Sequence, residues 1–103
     1  MATEPEGRLR RTDEIHAEQE VHVVLFLAGG ERSGAEMRDT LAVRCGGKEG
    51  ASRARVRAMD AGLAEETRKV GPDRFYRLTP KGAAAVDEAR KTLAAMRAER
   101  RAA

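Results

Sequence analysis

Apolar residues recur at helical intervals over much of the chain, which predicts a mainly helical protein. The first predicted helix covers residues 12–28, and its second half is apolar almost all round, as expected of a central, buried helix. A strand over residues 21–27 is the alternative, because short apolar runs are ambiguous. We favour the helix because the polar stretch before it is rich in good helix formers.

A second helix is predicted to begin after the glycine pair at residues 29–30. Ser33 stands three residues before Glu36, the spacing of a capping box in which each side chain accepts from the other residue's free backbone N–H. The helix would end at residues 45–47, where Cys-Gly-Gly interrupts the pattern. Its expected buried residues are Met37, Leu41 and Val43.

Residues 48–51 are predicted to form a connecting loop before a third helix. Ser52 is the expected N-cap, the helix would continue to residue 61, and Gly62 would end it in a left-handed conformation. Its expected buried side comprises Val56, Met59 and Leu63.

A β-hairpin and a final helix complete the predicted order. Strands are expected over residues 63–69 and 74–78, with a turn at residues 70–73. Thr79 followed by Pro80 is a strong helix start, because Pro at the first helical position loses no hydrogen bond.

The last predicted helix carries a narrow apolar stripe on an otherwise charged surface. Such a stripe is suited to packing against another helix of the same kind, so we expect the chain to form a homodimer. The residues expected to mediate dimerisation are Val86, Leu93 and Met96.

Composition excludes several classes of protein. The longest apolar run, residues 21–28, is interrupted by His22 and is far shorter than the roughly 18 residues of a membrane span. A single cysteine, Cys45, cannot form an internal disulfide, which favours a cytoplasmic protein. One Cys and two His give no soft-ligand metal set, and no catalytic constellation is visible. We therefore expect no metal, no cofactor and no enzymatic activity.

Charge is unevenly distributed along the 103 residues. The formal net charge is +3, from 20 Lys and Arg against 17 Asp and Glu, and sixteen of the bases are Arg. Residues 44–81 hold ten bases and five acids, whereas residues 1–20 hold three bases and six acids. A basic centre of this kind indicates a nucleic-acid footprint, with an ordinary solvated charged face as the alternative.

Three segments resemble PadR-type regulators, with a looser likeness to MarR-type ones. Residues 71–82 resemble the G-x-x-R-x-Y-x-L-T-x-x-G segment that leads from the wing into the next helix of the PadR type. Residues 62–66 are similar to the Gly-Leu step after the recognition helix of many bacterial regulators. Residues 27–37 resemble the start of the second PadR helix, although Ala35 stands where an aromatic is usual.

This resemblance implies a winged helix-turn-helix fold, mainly α with a small β-hairpin and a C-terminal dimerisation helix. Residues 1–11 would be a disordered tail, residues 12–79 the DNA-binding domain, and residues 80–103 the dimerisation helix. The implied function is transcriptional repression by a homodimer that binds double-stranded DNA at a roughly palindromic operator. A winged-helix module for protein–protein contact is the alternative, since fold does not fix function.

In this arrangement, residues 52–61 are the recognition helix and residues 63–78 are the wing. Both are expected to contact DNA. If Val56, Met59 and Leu63 were buried, Arg57 would point away from the core and Arg53 to the side. We therefore expect these two to read base edges, with Arg57 as the first candidate and Arg53 as the second. The residues expected to hold phosphates are Lys48, Ser52, Arg55, Arg68, Lys69, Arg74 and Arg77. Exposed arginines that serve only solubility are the alternative.

Two regulatory hypotheses remain open. Cys45 lies beside Arg44, and a nearby cation lowers a thiol's pKa, so redox sensing is an alternative to an inert cysteine. A small-molecule effector is possible but has no support in the sequence, and it would bind between subunits or beneath the first helix.

Overall fold

The computed structural model describes residues 12–102 of the 103-residue chain. The expected tail at residues 1–11 lies outside the described residues. Five helices and three strands follow one another in the order α1 (Thr12–Leu27), β1 (Arg32–Ser33), α2 (Gly34–Cys45), α3 (Lys48–Asp60), β2 (Ala64–Val70), β3 (Asp73–Leu78), α4 (Pro80–Ala84) and α5 (Val86–Ala102).

The first helix has the predicted position, and the strand alternative for residues 21–27 is wrong. Val23 and Leu27 of α1 are buried in the centre of the molecule, because this helix contacts α2, α3, β3 and α5. The core around them is aliphatic and small. It consists of Val23, Leu27, Met37, Leu41, Cys45, Ala51, Ala54, Ala58, Ala64 and Tyr76.

The Ser33 half of the predicted capping box of α2 is confirmed, whereas the Glu36 carboxylate pairs with Arg32. Ser33 Oγ accepts a hydrogen bond from the Glu36 backbone N–H at 3.1 Å, and Gly46 ends the helix with φ +74°. The expected burial of Val43 is wrong, since this residue is 90% exposed. Two residues correspond to about 200° around a helix, so Val43 lies opposite Leu41 rather than beside it.

The third helix starts four residues earlier than predicted. Residues 48–51 form its first turn rather than a loop, and Gly47, not Ser52, occupies the N-cap position. Its buried residues are Gly50, Ala51, Ala54 and Ala58. The expected burial of Val56 is therefore wrong, because this side chain is 45% exposed.

The buried face of α3 consists of glycine and alanine because α3 packs closely on α2. A Cβ added to Gly50 would lie 1.8 Å from the carbonyl oxygen of Cys45, so this position accepts only glycine. Ala51, Ala54 and Ala58 lie on the same buried face, where their short side chains keep α3 close to its neighbours. A valine would not fit there, and Val56 consequently faces outward.

The predicted hairpin is confirmed, with a third strand beside it. Strand β3 is central in a three-stranded antiparallel sheet, β2 pairs along one edge, and the two-residue β1 pairs along the other. A bulge at Thr67 shifts the register between β2 and β3. Gly71 and Pro72 form the turn, where Gly71 supplies a φ of +59°.

The predicted helix start at Thr79 is also confirmed. Thr79 Oγ1 accepts from the Gly82 backbone N–H at 3.0 Å, and Pro80 occupies the first turn. The single helix expected beyond it is interrupted at Ala85, which separates α4 from α5. A Cβ at Gly82 would lie 1.9 Å from the Leu63 carbonyl oxygen, so α4 lies directly against the start of the wing.

These elements form a winged helix-turn-helix, mainly helical with a small sheet, as predicted. The helix-turn-helix consists of α2 and α3, β2 and β3 form the wing, and α5 packs along α1. Within residues 12–102, no helix is long and apolar enough to cross a membrane.

Candidate nucleic-acid interface

A first cleft opens where the start of α3 meets α2. We name it the α2–α3 cleft; it measures about 390 Å³ and is lined by Arg38, Lys48, Glu49, Ser52 and Arg53. Three of these residues, Lys48, Ser52 and Arg53, are predicted DNA contacts, and the fold brings them together. Although Ser52 does not cap α3, it lies within the first two turns of that helix.

Both cations of α3 in the α2–α3 cleft have exposed carboxylate partners. Lys48 Nζ lies 3.3 Å from Asp39 Oδ1, and Arg53 Nη1 lies 3.7 Å from Glu49 Oε2. Solvent-exposed pairs of this kind stabilise a fold by only about 0–1 kcal/mol. A phosphate or a base edge can therefore replace the carboxylate with little loss of folding stability.

A second cleft lies between α2, α3 and the tip of the wing. We name it the Arg38 cleft; it measures about 240 Å³, and its lining includes Gly34, Arg38, Arg55, Asp73, Arg74 and Tyr76. Arg55 and Arg74 are predicted phosphate contacts. Arg38 lines both clefts and thus connects the recognition helix to the wing.

Arg55 is held in place by two neighbours. Its guanidinium carbon lies 4.6 Å from the centroid of the Tyr76 ring, and Nη1 lies 3.5 Å from Met59 Sδ. Because Tyr76 is itself buried in the core, the cation–π contact fixes the guanidinium at the bottom of the wing.

The two faces of β3 carry different arginines. Tyr76 is buried and Phe75 half-buried on the opposite side, so Arg74 lies on the Tyr76 side and Arg77 on the Phe75 side. Arg74 Nη1 donates to Glu66 Oε1 at 3.0 Å, which raises the pKa of Arg74, and Arg77 Nε donates to Glu65 Oε2 at 2.9 Å.

The outer face of the wing contains a second stacked arginine. Arg68 lies 4.2 Å from the centroid of the Phe75 ring, and its Nε donates to Glu31 Oε1 at 2.9 Å. Thr67 Oγ1 also donates to Glu31, and these two hydrogen bonds lower the pKa of the Glu31 carboxyl. Within residues 12–102, Lys69 has no carboxylate within ion-pair distance.

Arg57 lies apart from both clefts. Its Nε is 3.3 Å from Glu20 Oε2, and its Nη2 donates to Gln19 Oε1 at 2.6 Å. The expectation that Arg57 points away from the core assumed that Val56 was buried, and that geometry is wrong. Arg57, the first candidate for base recognition, thus lies against α1.

A buried polar cluster joins α1 to the end of α5. Glu18 and His22 are each 8% exposed, His22 Nε2 lies 3.9 Å from Glu18 Oε1, and Arg100 forms an ion pair with Glu18. Burial is the main reason that the pKa of His22 lies below 6.5, and Arg44 contributes in the same direction. Burial therefore favours the neutral form of His22 at pH 7.

Cys45 lacks the surroundings of a reactive thiol. Its side chain is buried between α2 and α3, and burial raises its pKa above the usual value, although Arg57 acts in the opposite direction. Its neighbour Arg44 does not activate it. The redox-sensing alternative thus loses the low pKa on which it depended.

The three residues predicted for dimerisation have different surroundings. Leu93 is buried within the chain itself, where α5 packs on α1, and its role in dimerisation remains a prediction. Val86 and Met96 are half-buried. A mostly apolar groove of about 250 Å³ between α1 and α5 is lined by residues that include Val21 and Ala89.

Comparison with known proteins supports the fold assignment. No protein-family model and no curated protein matches the chain. An apo mutant of ZitR from Lactococcus lactis has a TM-score of 0.59 at 16% identity, covering 88% of this chain and 70% of that chain. A transcriptional regulator from Clostridium thermocellum has a TM-score of 0.62 at 15% identity, covering 91% and 94%.

A third solved structure is more similar in sequence. A possible transcriptional regulator for arsenical resistance shares 28% identity at a TM-score of 0.51, covering 78% of this chain and 80% of that chain. The three structures are similar to this protein in their winged-helix architecture. The PadR-type resemblance remains a prediction.

Arg38 is the residue of this surface that sequence reasoning missed. It lies in the interior of α2, outside the predicted recognition helix and wing. The one available signal was its position one residue after the buried Met37, which turns its side chain about 100° from the core.

Proposed function

We propose that the protein is a sequence-specific regulator of transcription that binds double-stranded DNA as a homodimer and represses the genes whose operators it occupies. The supporting observation is one continuous cationic surface formed by the α2–α3 cleft and the Arg38 cleft. The side chains that it unites come from α2, α3 and β3, namely Arg38, Lys48, Arg53, Arg55 and Arg74.

In this proposal, the exposed face of α3 enters the major groove. Recognition helices place their N-terminal residues against base edges. Ser52 and Arg53 occupy that part of α3, and Arg53 is well exposed. Arg53 therefore replaces Arg57 as the first candidate for base recognition, since a guanidinium suits the two acceptors of guanine.

The wing would hold the phosphate backbone. Arg68, Lys69 and Arg77 lie on β2 or β3, outside the two clefts, and are exposed. Contacts from such side chains set position rather than sequence, and each neutralised phosphate makes affinity more dependent on salt.

Dimerisation would bring two recognition helices to half-sites about 34–36 Å apart on an inverted repeat. The groove between α1 and α5 offers apolar surface for a second copy, and Val86 of α5 directly follows Ala85, which lines it. We expect Val86→Glu to shift the protein towards monomer in sedimentation experiments, with Asp87→Asn, exposed on the same helix and outside the groove lining, as a charge-altering control. A wild-type protein that sediments as a monomer at micromolar concentration would contradict the dimer.

The decisive experiment is DNA binding at low and high salt, followed by selection from random duplexes. We expect salt-sensitive binding and enrichment of an inverted repeat. Arg53→Ala should weaken operator binding about tenfold and relax the sequence preference at one base pair. Arg90→Ala, at an exposed position of α5, should leave both the affinity and the preference unchanged. Absence of binding to any duplex at low salt would overturn the proposal in favour of a protein–protein contact module.

A further inference from the structure

We propose that the Arg38 cleft is a binding site for one phosphate group of the DNA backbone, and that Arg38 is the residue that completes it. The inference rests on the DNA-binding function proposed above. It assigns a particular ligand group to a particular cleft and gives a role to a residue of α2.

The first observation is the grouping of three arginines around one cleft. Arg38 of α2, Arg55 of α3 and Arg74 of β3 line one cleft, with Asp73 as the acidic residue among the lining residues. Within residues 12–102, no carboxylate lies within 4 Å of Arg38, although each of the three wing arginines has such a partner. A cleft with excess charge of one sign attracts an oppositely charged ligand.

The second observation is that two of the three groups are positioned before any ligand arrives. Arg55 is stacked on Tyr76 and contacts Met59, and Arg74 donates through Nη1 to Glu66. A guanidinium has five N–H donors, so each retains free donors for an anion. Preorganised arginines lose less conformational entropy on binding than mobile ones.

The third observation is the space at the start of α2. Gly34 is buried, and a Cβ there would lie 3.1 Å from the Tyr76 ring, so a larger residue would crowd the ring on which Arg55 is stacked. Ala35, with its short side chain, also lines the cleft. Gly34 and Ala35, at the N-terminal end of the twelve-residue α2, thus line the same cleft as the three arginines, and the N-terminus of a helix favours an anion.

A phosphate group fits these donors, because its oxygens accept the paired N–H groups of arginine. The two possible sources are the DNA backbone and a free phosphate ion. The structure favours DNA, since Arg38 also lines the α2–α3 cleft beside Arg53 and Lys48. A DNA strand that is read by α3 would pass directly from one cleft to the other.

The test uses the selected operator with single neutral methylphosphonate linkages, placed at each backbone position in turn. For wild-type protein and for Arg90→Ala, we expect one position in each half-site at which neutralisation weakens binding about tenfold. Arg38→Ala should bind unmodified operator about tenfold more weakly and should lose less than about twofold further at that position. Because Arg38 is exposed within α2 and Ala is a good helix former, the variant is expected to fold, which circular dichroism checks.

Two outcomes would overturn the inference while leaving the proposed function intact. In the first, Arg38→Ala shows the same methylphosphonate profile as wild type. In the second, no position responds, and inorganic phosphate at constant ionic strength raises the melting temperature of wild type but not of Arg38→Ala; the ligand would then be free phosphate. Failure of wild type to bind any duplex at low salt would overturn both.

Discussion

The guanidinium of Arg57 joins the recognition helix to α1 through Glu20, with Arg57 Nε 3.3 Å from Glu20 Oε2. The same guanidinium also donates to Gln19. The side chains of Arg57 and Glu20 are 24% and 27% exposed, so solvent screens the pair only in part. This contact links α3 to α1, and it distinguishes Arg57 from the well-exposed Arg53.

Arg57→Ala is expected to lower the free energy of unfolding by about 1 kcal/mol, because two hydrogen bonds are lost and Glu20 keeps its charge without a partner. Urea denaturation measures this. Arg53→Ala is the control, since its pair with Glu49 is exposed and its loss should change stability by less than about 0.5 kcal/mol. A fully stable Arg57→Ala that has lost DNA affinity would instead return Arg57 to the DNA-reading role.

Gly50→Ala should destabilise the protein by roughly 3 kcal/mol or more, since its Cβ would overlap the backbone of Cys45 and push α3 away from α2. Gly29→Ala is the matched control. A Cβ there would lie 3.1 Å from the flexible end of Arg32, which can move, and only a small change is expected. Equal stability of the two variants would contradict the packing described for the helix-turn-helix.

Stability should fall as pH drops below about 6.5, because the pKa of His22 in the folded protein lies below that value. The unfolded chain then binds more protons than the folded one. Burial is the main cause, and Arg44, Arg97 and Arg100 add to it, while Glu18 opposes it.

The measurement is the free energy of unfolding at about pH 7.5 and about pH 5.5, in wild type and in His22→Gln. We expect the decrease in stability to be smaller in His22→Gln. His16→Gln, at a half-buried position on the same helix, serves as the control and should keep the wild-type decrease. An identical pH dependence in all three proteins would exclude His22 as its source.

Glu31→Gln should strengthen binding to random-sequence DNA about threefold at low salt. The low pKa of Glu31 means that it is a carboxylate at neutral pH, and its removal leaves Arg68 free to contact phosphate. Fluorescence anisotropy at two salt concentrations measures the effect, which should diminish at high salt. Glu14→Gln, exposed in the first turn of α1, is the control. Weaker binding by Glu31→Gln would mean that Arg68 needs Glu31 to hold its orientation.

Local signals were sufficient for much of the fold. The spacing of Ser33 and Glu36 and the Thr79-Pro80 step identified the starts of α2 and α4, because the atoms that satisfy each helix end lie within three residues. The hairpin was equally clear from its turn. The two-residue β1 was missed, since its pairing with β3 joins residues more than forty positions apart.

The buried face of α3 depended on its neighbours. By size alone, Val56 is a better core residue than alanine, yet the distance between α2 and α3 admits only Gly50, Ala51, Ala54 and Ala58. Because that face was assigned wrongly, Arg57 was expected to point away from the core, whereas its guanidinium contacts α1. Arg38 was overlooked for the same reason, since its place beside Arg55 and Arg74 exists only after three elements pack together.

The sequence by itself thus determined the order of the main helices and the hairpin, the N-cap residues of α2 and α4, the turn of the wing and the cationic character of the central segment. These depend on interactions within a few residues or on composition. Tertiary structure decided which side of α3 is exposed, which arginines share a cleft and which are held by carboxylates. Those properties depend on distances between helices and strands, and close packing sets such distances only when all the elements are in place.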